Sequence, residues 1–374
     1  MKIADIQIYP LLLPMKQSFA ISGGTVGSQS RGAPHVYIKV VTDSGAEGWG
    51  EARPSHRWSY ETLETVTSTI TGYLKPALIG AEVADLQSIH VQMNKEIKPD
   101  LSGGQPIAKA AVDMALYDAI GKERQNSLST MWFSGFRPSV QLSYLISTPS
   151  PEEAARKAVY AVSQGYRGLD VKLGLDPVTD IEILEAVKGA APGLFLRVDA
   201  NQAYSLQQAV KLARVMERIG VDVFEQPLRA DDLYGHAQLR RKTSIPIALD
   251  ESIWTTGNLL QAIRAEACDT VVVKLTKMGG LTGAKRCGEL AREAGLGLLG
   301  GGLTESRLAL TASAHLFNYL RIEEPVDLNG PLFLADDPIS SGPLINEGEV
   351  NLPNGPGIGC EISMDKLELY GCKL

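Results

Sequence analysis

Five polar residues recur through the middle of this 374-residue chain at a nearly constant interval: Lys172, Asp199, Glu225, Asp250 and Lys274 stand 27, 26, 25 and 24 residues apart. Each closes a short apolar run that reads as a buried strand, and each interval holds an amphipathic helical pattern with its loops. Such spacing predicts consecutive βα units around a parallel sheet. Further strand candidates at Leu142–Ser147, Gly295–Gly300 and Arg321–Asp327 extend the series on both sides. An eightfold βα barrel accounts for the whole set, whereas an open doubly wound sheet would account for only part of it.

Side chains alternate between the two faces of a strand, so the strand ends can be sorted. Asp170 and Lys172 point opposite to Leu169 and Val171; Arg197 and Asp199 point opposite to Leu196 and Val198. Glu225, Asp250 and Lys274 lie opposite Phe224, Leu249 and Val273. In a barrel the apolar sets meet the helices, and the polar sets converge on the C-terminal mouth, where barrel enzymes keep their active sites.

The rest of the chain has a different texture. Period-two alternation in residues 1–9 and 36–41, a turn at Thr42–Gly45 and a strand through Gly48–Glu51 predict a hairpin-rich sheet. Helical spacing follows at 60–79 and at 108–121, where Gly121 suits a helix C-cap. The expected organisation is an α+β lobe over 1–125, the barrel over 126–329, and a Gly- and Pro-rich segment, 330–374, that returns to pack on the first lobe.

A formal charge of −7 offers no basic face for nucleic acid. No apolar run approaches the roughly 18 residues of a membrane span. The four cysteines show no C-x-x-C spacing, which argues against zinc knuckles and disulfide frameworks. A soluble cytoplasmic protein acting on a small molecule is the expectation.

Three acids at matched strand ends, Asp199, Glu225 and Asp250, would repel one another unless a cation or protons neutralise them. Their donors are all hard oxygens, which favours Mg²⁺, with Mn²⁺ as the alternative, over Zn²⁺. Lys172 and Lys274 flank the trio in sequence, and in a closed barrel their strands stand well apart, so the two amines can approach a bound substrate from opposite sides. That is an acid/base pair for proton abstraction beside a metal-bound carboxylate, through an enediolate. Two other readings of the lysines are structural ion pairing and a Schiff-base nucleophile.

These motifs resemble the enolase superfamily, and within it the muconate-lactonizing subgroup of muconate cycloisomerases and dipeptide epimerases. The likeness is carried by Val198-Asp199-Ala200-Asn201, Phe224-Glu225-Gln226-Pro227, Leu249-Asp250-Glu251-Ser252, Val273-Lys274-Leu275-Thr276-Lys277 and Gly300-Gly301-Gly302-Leu303-Thr304-Glu305-Ser306. Gly48-Trp49-Gly50-Glu51 and Gly355-Pro356-Gly357-Ile358-Gly359 extend it over nearly the whole chain. The resemblance implies a modified (β/α)₇β barrel of the TIM type with an α+β capping domain built from the first lobe and the C-terminal segment. It implies Asp199, Glu225 and Asp250 as metal ligands, Lys172 and Lys274 as catalysts, and self-association into a homo-oligomer. The histidine that the mandelate-racemase branch carries after the seventh strand is absent from 300–306, and His315 sits in an apolar helical pattern that suits a core role.

One position departs from the subgroup, which has Lys-x-Lys where this chain has Asp170-Val171-Lys172. Roots two residues apart on a strand are separated by roughly 6.6 Å, and at an effective dielectric near 20 the attraction is roughly 2.5 kcal/mol. Asp170 therefore favours the charged form of Lys172 and is expected to contact substrate, or else to pair with Arg197. Other expected substrate contacts are Asn201, Glu305, Ser306, Asp327 and Asn329 at the barrel mouth, with Phe19, Ile21, His56, Trp58 and Tyr60 on loops that the resemblance places over it. Asp327 hints at a cationic group on the substrate. The expected activity is that of an isomerase, either a cycloisomerase or a racemase/epimerase of an amino-acid derivative. Alternatives are a dehydratase of a β-hydroxy acid of the hydroxyproline type, a Schiff-base aldolase, and a barrel that only binds.

Overall fold

The computed structural model describes residues 1–100, 102–132, 135 and 137–374. Strand β1 (Ile3–Leu13) leads through a small hairpin, β2 (Phe19–Ile21) and β3 (Gly24–Gly27), into β4 (Ala33–Thr42) and β5 (Glu47–Ala52). Strands β1, β4 and β5 form an antiparallel sheet in that order. The helix Pro106–Glu123, alanine-rich and buried along most of its length, lies across this sheet. Gly48 and Gly50 permit the approach, because a Cβ on either would stand only 2.1 Å from the Ala115 carbonyl or 2.0 Å from that of Ala111. The same helix runs through Gly121 to Glu123, so Gly121 is not a C-cap. It is a packing position instead, since a Cβ there would meet Gly357 at 2.5 Å. The helical pattern over 60–79 divides into Leu63–Thr69, a wide π turn at Ile70–Leu74, and Lys75–Leu78.

After a short strand β6 (Ser139–Gln141), the barrel strands follow: β7 (Ser143–Ile146), β8 (Gly168–Lys172), β9 (Phe195–Asp199), β10 (Val223–Glu225), β11 (Ile247–Leu249), β12 (Thr270–Val273) and β13 (Gly297–Gly300). They pair in unbroken parallel order from β7 to β13. Of the strand expected over Arg321–Asp327, only its last two residues pair: Val326 bridges Leu142 beside β7, and Asp327 bridges Gly301 beside β13. Those two parallel bridges join the sheet's edges, so the ring closes as a (β/α)₇β barrel. Helices alternate with the strands, and all but one of those between β7 and the closing residues start at a side-chain cap, from Ser150, Asp176, Ser205, Asp232, Thr255 and Ser306.

The period-two sorting holds through the barrel. Leu196, Val198, Phe224, Leu249, Val271 and Val273 are buried against the helices. Val223, Ala248, Val272 and Leu299 form a separate apolar cluster. Val223, Ala248 and Val272 stand two residues before Glu225, Asp250 and Lys274, so an apolar floor lies under a charged layer. The C-terminal segment meets the first lobe at once, where the Lys16 amide donates to the Phe333 carbonyl and the Ala335 amide to that of Pro14, and its Glu349–Asn351 stretch pairs with β6. It returns to the first lobe at its end, where the Leu12 and Cys372 amides donate to the Tyr370 and Pro10 carbonyls. Among the described residues, no helix is long and apolar enough to cross a membrane.

Candidate active site

Strand pairing sets the height of the acids. Lys172 pairs in register with Asp199, and Asp199 with Glu225. Asp250 and Lys274 each follow the last residue of β11 and β12. Asp170, Arg197, Asp199, Glu225 and Asp250 are completely buried, and Lys172 and Lys274 nearly so.

Each carboxylate is held by a cation of the chain. Lys172 Nζ lies 2.8 Å from Asp199 Oδ2, 3.3 Å from Asp170 Oδ2 and 3.7 Å from Asp327 Oδ2. Arg197 Nε donates to Glu225 Oε2 and stands 3.9 Å from Asp170 Oδ2. Asp250 accepts from Lys274 Nζ through Oδ2, and Lys277 Nζ lies 2.8 Å from its Oδ1. Among the described residues, no three carboxylates stand grouped as a ready-made cation cage. The physical reason is that buried carboxylates must be neutralised, and here lysine and arginine side chains do it.

The donor set nevertheless fits a hard divalent cation. Glu225 Oε1 is buried without a hydrogen-bond partner, as are Glu251 Oε2, Asp170 Oδ1 and Asn201 Oδ1. Burial, reinforced by the charges of Asp199 and Asp250, pushes the Glu225 carboxyl up despite Arg197. Glu251 is pushed up to about 8 by burial and by the charges of Asp250 and Asp199. The carboxylates thus feel one another's charge, which a divalent ion would relieve.

Both lysines are strongly held as ammonium. Burial alone would lower Lys172, but Asp170, Asp199 and Asp327 outweigh it and hold the amine well above the ordinary lysine value. Burial likewise opposes a raised Lys274, and Asp250 and Glu225 overcome it. Asp170 is driven up by burial against the pull of Lys172 and Arg197. Asp327 is drawn down by those same cations, which outweigh its burial.

Lys172, Lys274, Asp199, Asn201, Asp327 and Asn329 line one small cavity of about 40 Å³, roofed by Phe19, Ile21, Trp58 and Phe333. Phe19 stacks on Phe333 with centroids 4.9 Å apart, and the Trp58 ring lies 4.9 Å from Lys274 Nζ. A larger cleft of about 660 Å³ opens from the Lys172 side between residues 16–22 and the ends of β7 and β8. Asn201 takes a left-handed φ of 41° and donates through Nδ2 to Glu251 Oε1 at 3.2 Å. Asn329 donates to Asp327 Oδ1 and to the Ser143 carbonyl. Glu305 lies behind the cavity wall, accepting from Thr276 and from the Leu303 amide.

Five expected substrate contacts, Asp170, Glu305, Ser306, His56 and Tyr60, stand outside the lining of this cavity, Asp170 being taken up by Lys172 and lying near Arg197. Ser306 is fully buried and committed to Glu51 and Tyr37, capping the helix Arg307–Tyr319. His56 is exposed and stands outside the cavity lining. Tyr60 bonds Ser102 and stacks beside Trp254, also outside it. His315 is buried with Nδ1 on Ser129, as its apolar helix suggested. Sequence reasoning assigned no role to Lys277 and Glu251, although both lie inside the quoted motifs. The signal was their position beside Asp250 and Lys274.

Residues 5–132 match the family "Mandelate racemase / muconate lactonizing enzyme, N-terminal domain", and residues 153–366 match "Enolase C-terminal domain-like". The chain is 33% identical over 363 residues to the L-Ala-D/L-Glu epimerase of Bacillus subtilis strain 168, covering 96% of each. It is 31% identical over 371 residues to the N-succinyl-L-Arg/Lys racemase of Bacillus cereus, covering 98% of this chain and 97% of that one. That racemase's crystal structure superposes with a TM-score of 0.92 over 100% of this chain and 99% of its own. The dipeptide epimerase of Cytophaga hutchinsonii, solved with Mg and the dipeptide D-Ala-L-Val, matches with a TM-score of 0.92 at 28% identity over 98% of each chain.

Proposed function

Because this chain belongs to the mandelate racemase / muconate lactonizing enzyme family of the enolase superfamily, we propose that it is a Mg²⁺-dependent racemase or epimerase of an amino-acid derivative. The observation that carries the reading is that two buried lysines from well-separated strands, Lys172 and Lys274, reach the same small cavity, which Asp199 also lines. Asp199, Glu225 and Asp250 would hold the ion. When bound, Mg²⁺ supplies positive charge against the substrate carboxylate and the negative charge that builds there as the neighbouring proton leaves.

The chain's own residues do the rest. One lysine, as free amine, takes the proton from the carbon next to the carboxylate, and the other, as ammonium, returns one to the opposite face. Lys172 and Lys274 would be held less firmly as ammonium with Asp199 and Asp250 turned to an ion, since each amine would share its carboxylate partner. Phe19, Ile21, Trp58 and Phe333 exclude water around the reacting carbon.

Asp327 faces the cavity together with Asn329 and suits a substrate ammonium or amide donor. A dicarboxylate such as muconate would instead bring a second negative charge toward Asp170 and Asp327, which disfavours cycloisomerisation. The test is incubation with Mg²⁺ in D₂O of dipeptides, N-succinylamino acids and cis,cis-muconate, followed by NMR. Loss of the α-proton signal with appearance of the epimer is the expected result. Lactone formation from muconate, or no exchange in any compound, would overturn the reading.

A further inference from the structure

Three segments that wall the cavity come from distant parts of the chain: the hairpin β2–β3 with Phe19 and Ile21, the loop after β5 with Trp58, and the loop after β13 with Gly302, Leu303 and Thr304. One side chain touches all three. Arg53 is among the largest fully buried side chains, 1% exposed. Its Nη2 donates to the Val26 carbonyl of β3 at 3.0 Å, its Nη1 to the Pro54 carbonyl, and its Nε to Thr304 Oγ1 at 2.8 Å. Among the described residues, no carboxylate lies within ion-pair distance of it: its hydrogen bonds all go to neutral acceptors, and Glu305 and Glu51 act on its charge only from farther away. Burying a charge this way is expensive, and a planar fork of donors is the side chain suited to hold several acceptors at fixed angles. His35 adds a second hold on the same loop, with Nε2 lying 3.1 Å from the Thr304 carbonyl.

The Thr304 loop and the Trp58 loop are the walls of the Lys274 arm. A Cβ at Gly301 would stand 2.8 Å from Lys274 Cε, and Trp58 faces its Nζ. The geometry points to Arg53 as a positioning residue that latches these three segments together and so aims Lys274 at the substrate carbon. The role in catalysis rests on the function proposed above, whereas the latch itself is a property of the fold. Displacing the latch leaves the acids proposed to hold the ion in place, so the rate falls while binding changes little.

Arg53→Lys retains the charge and loses the fork; Arg53→Ala leaves a hole that guanidinium can enter. Hydrogen exchange read by mass spectrometry should rise together, by tenfold or more, in segments 19–27, 54–59 and 301–305 of Arg53→Lys, with 168–172 and 195–199 protected as in the parent. In the D₂O assay, kcat should fall by tenfold or more with KM within threefold, and millimolar guanidinium should restore part of the rate of Arg53→Ala. Loosening of only one segment, uniform loosening across the barrel, or unchanged exchange would overturn the latch. A parent protein that exchanges no α-proton overturns the functional reading instead, and the hydrogen exchange still decides the latch.

Discussion

The barrel mouth and the cap both bury carboxylates completely, yet they neutralise them differently. At the mouth, Asp199, Glu225 and Asp250 lean on Lys172, Arg197, Lys274 and Lys277. In the cap, Glu51 accepts across the seam with the barrel from the Ser306 and Ala309 amides and the Ser306 hydroxyl, and Glu61 accepts from the Ile107 and Ala108 amides of the cap's own helix. Both cap acids therefore sit at helix N-termini, where orphan N–H groups and the helix dipole favour negative charge. Main-chain amides cannot swing away, so those carboxylates are sealed. Lysine side chains can, and Glu225 keeps an oxygen without a partner. The difference separates acids that serve a ligand from acids that hold a fold.

The sharpest way to break this contrast is Lys274→Met, which removes a proton carrier and not a strut. Exchange of the substrate α-proton should fall by roughly 10²–10⁴-fold, while the thermal midpoint moves little because Lys277 still neutralises Asp250; equal losses in both would merge the two regions. Next in size is the response to Mg²⁺. At a concentration 100-fold above Kd the ion should stabilise the parent by about 2.7 kcal/mol in thermal scans against EDTA. Glu225→Gln should lose that increment, and Glu61→Gln should keep it. Third, Glu61→Ala should destabilise the protein by about 1–3 kcal/mol, because it strands two buried amides, with the Mg²⁺ response intact in a denaturant titration.

The finest effect is on pH. Burial raises the Glu61 carboxyl from an ordinary 4.5 to about 7, against the pull of its two amide donors. Between those values the folded state holds a proton that the unfolded chain has released. This contribution is therefore complete below about pH 4.5 and is lost as pH rises through 7, at no more than about 1.4 kcal/mol per pH unit. Glu61→Gln should flatten that slope in denaturant titrations across the window; an unaltered slope would show that the amides alone suffice.

The mouth was the more legible region because its information is periodic. A polar residue every two dozen or so positions, with alternation behind it, locates strand, face and height at once, and Asp170, Arg197 and Lys172 do lie together. The closing strand was legible in place but not in extent, since Arg321–Asp327 reads as a run while only Val326 and Asp327 pair. Loop residues carried no such periodicity. Trp58 and Tyr60 are both aromatics of one loop, yet only Trp58 faces the cavity, a matter of how the turn at Ser55 folds. Ser306 read as a site residue from its motif, and its neighbour across the seam, Glu51, claimed it. Which amide a buried acid will meet depends on docking of distant segments, and no local pattern encodes that.

The two bridges made by Val326 and Asp327 also set an order of events. They join positions beside β7 and β13 that lie far apart along the chain, so ring closure waits for a contact of very high sequence separation, the slowest kind to form. A ribosome-tethered fragment that stops short of Val326 would carry both lysines and all three acids without the cavity that unites them. Proton-exchange competence in such nascent chains should therefore switch on abruptly with length, instead of growing strand by strand.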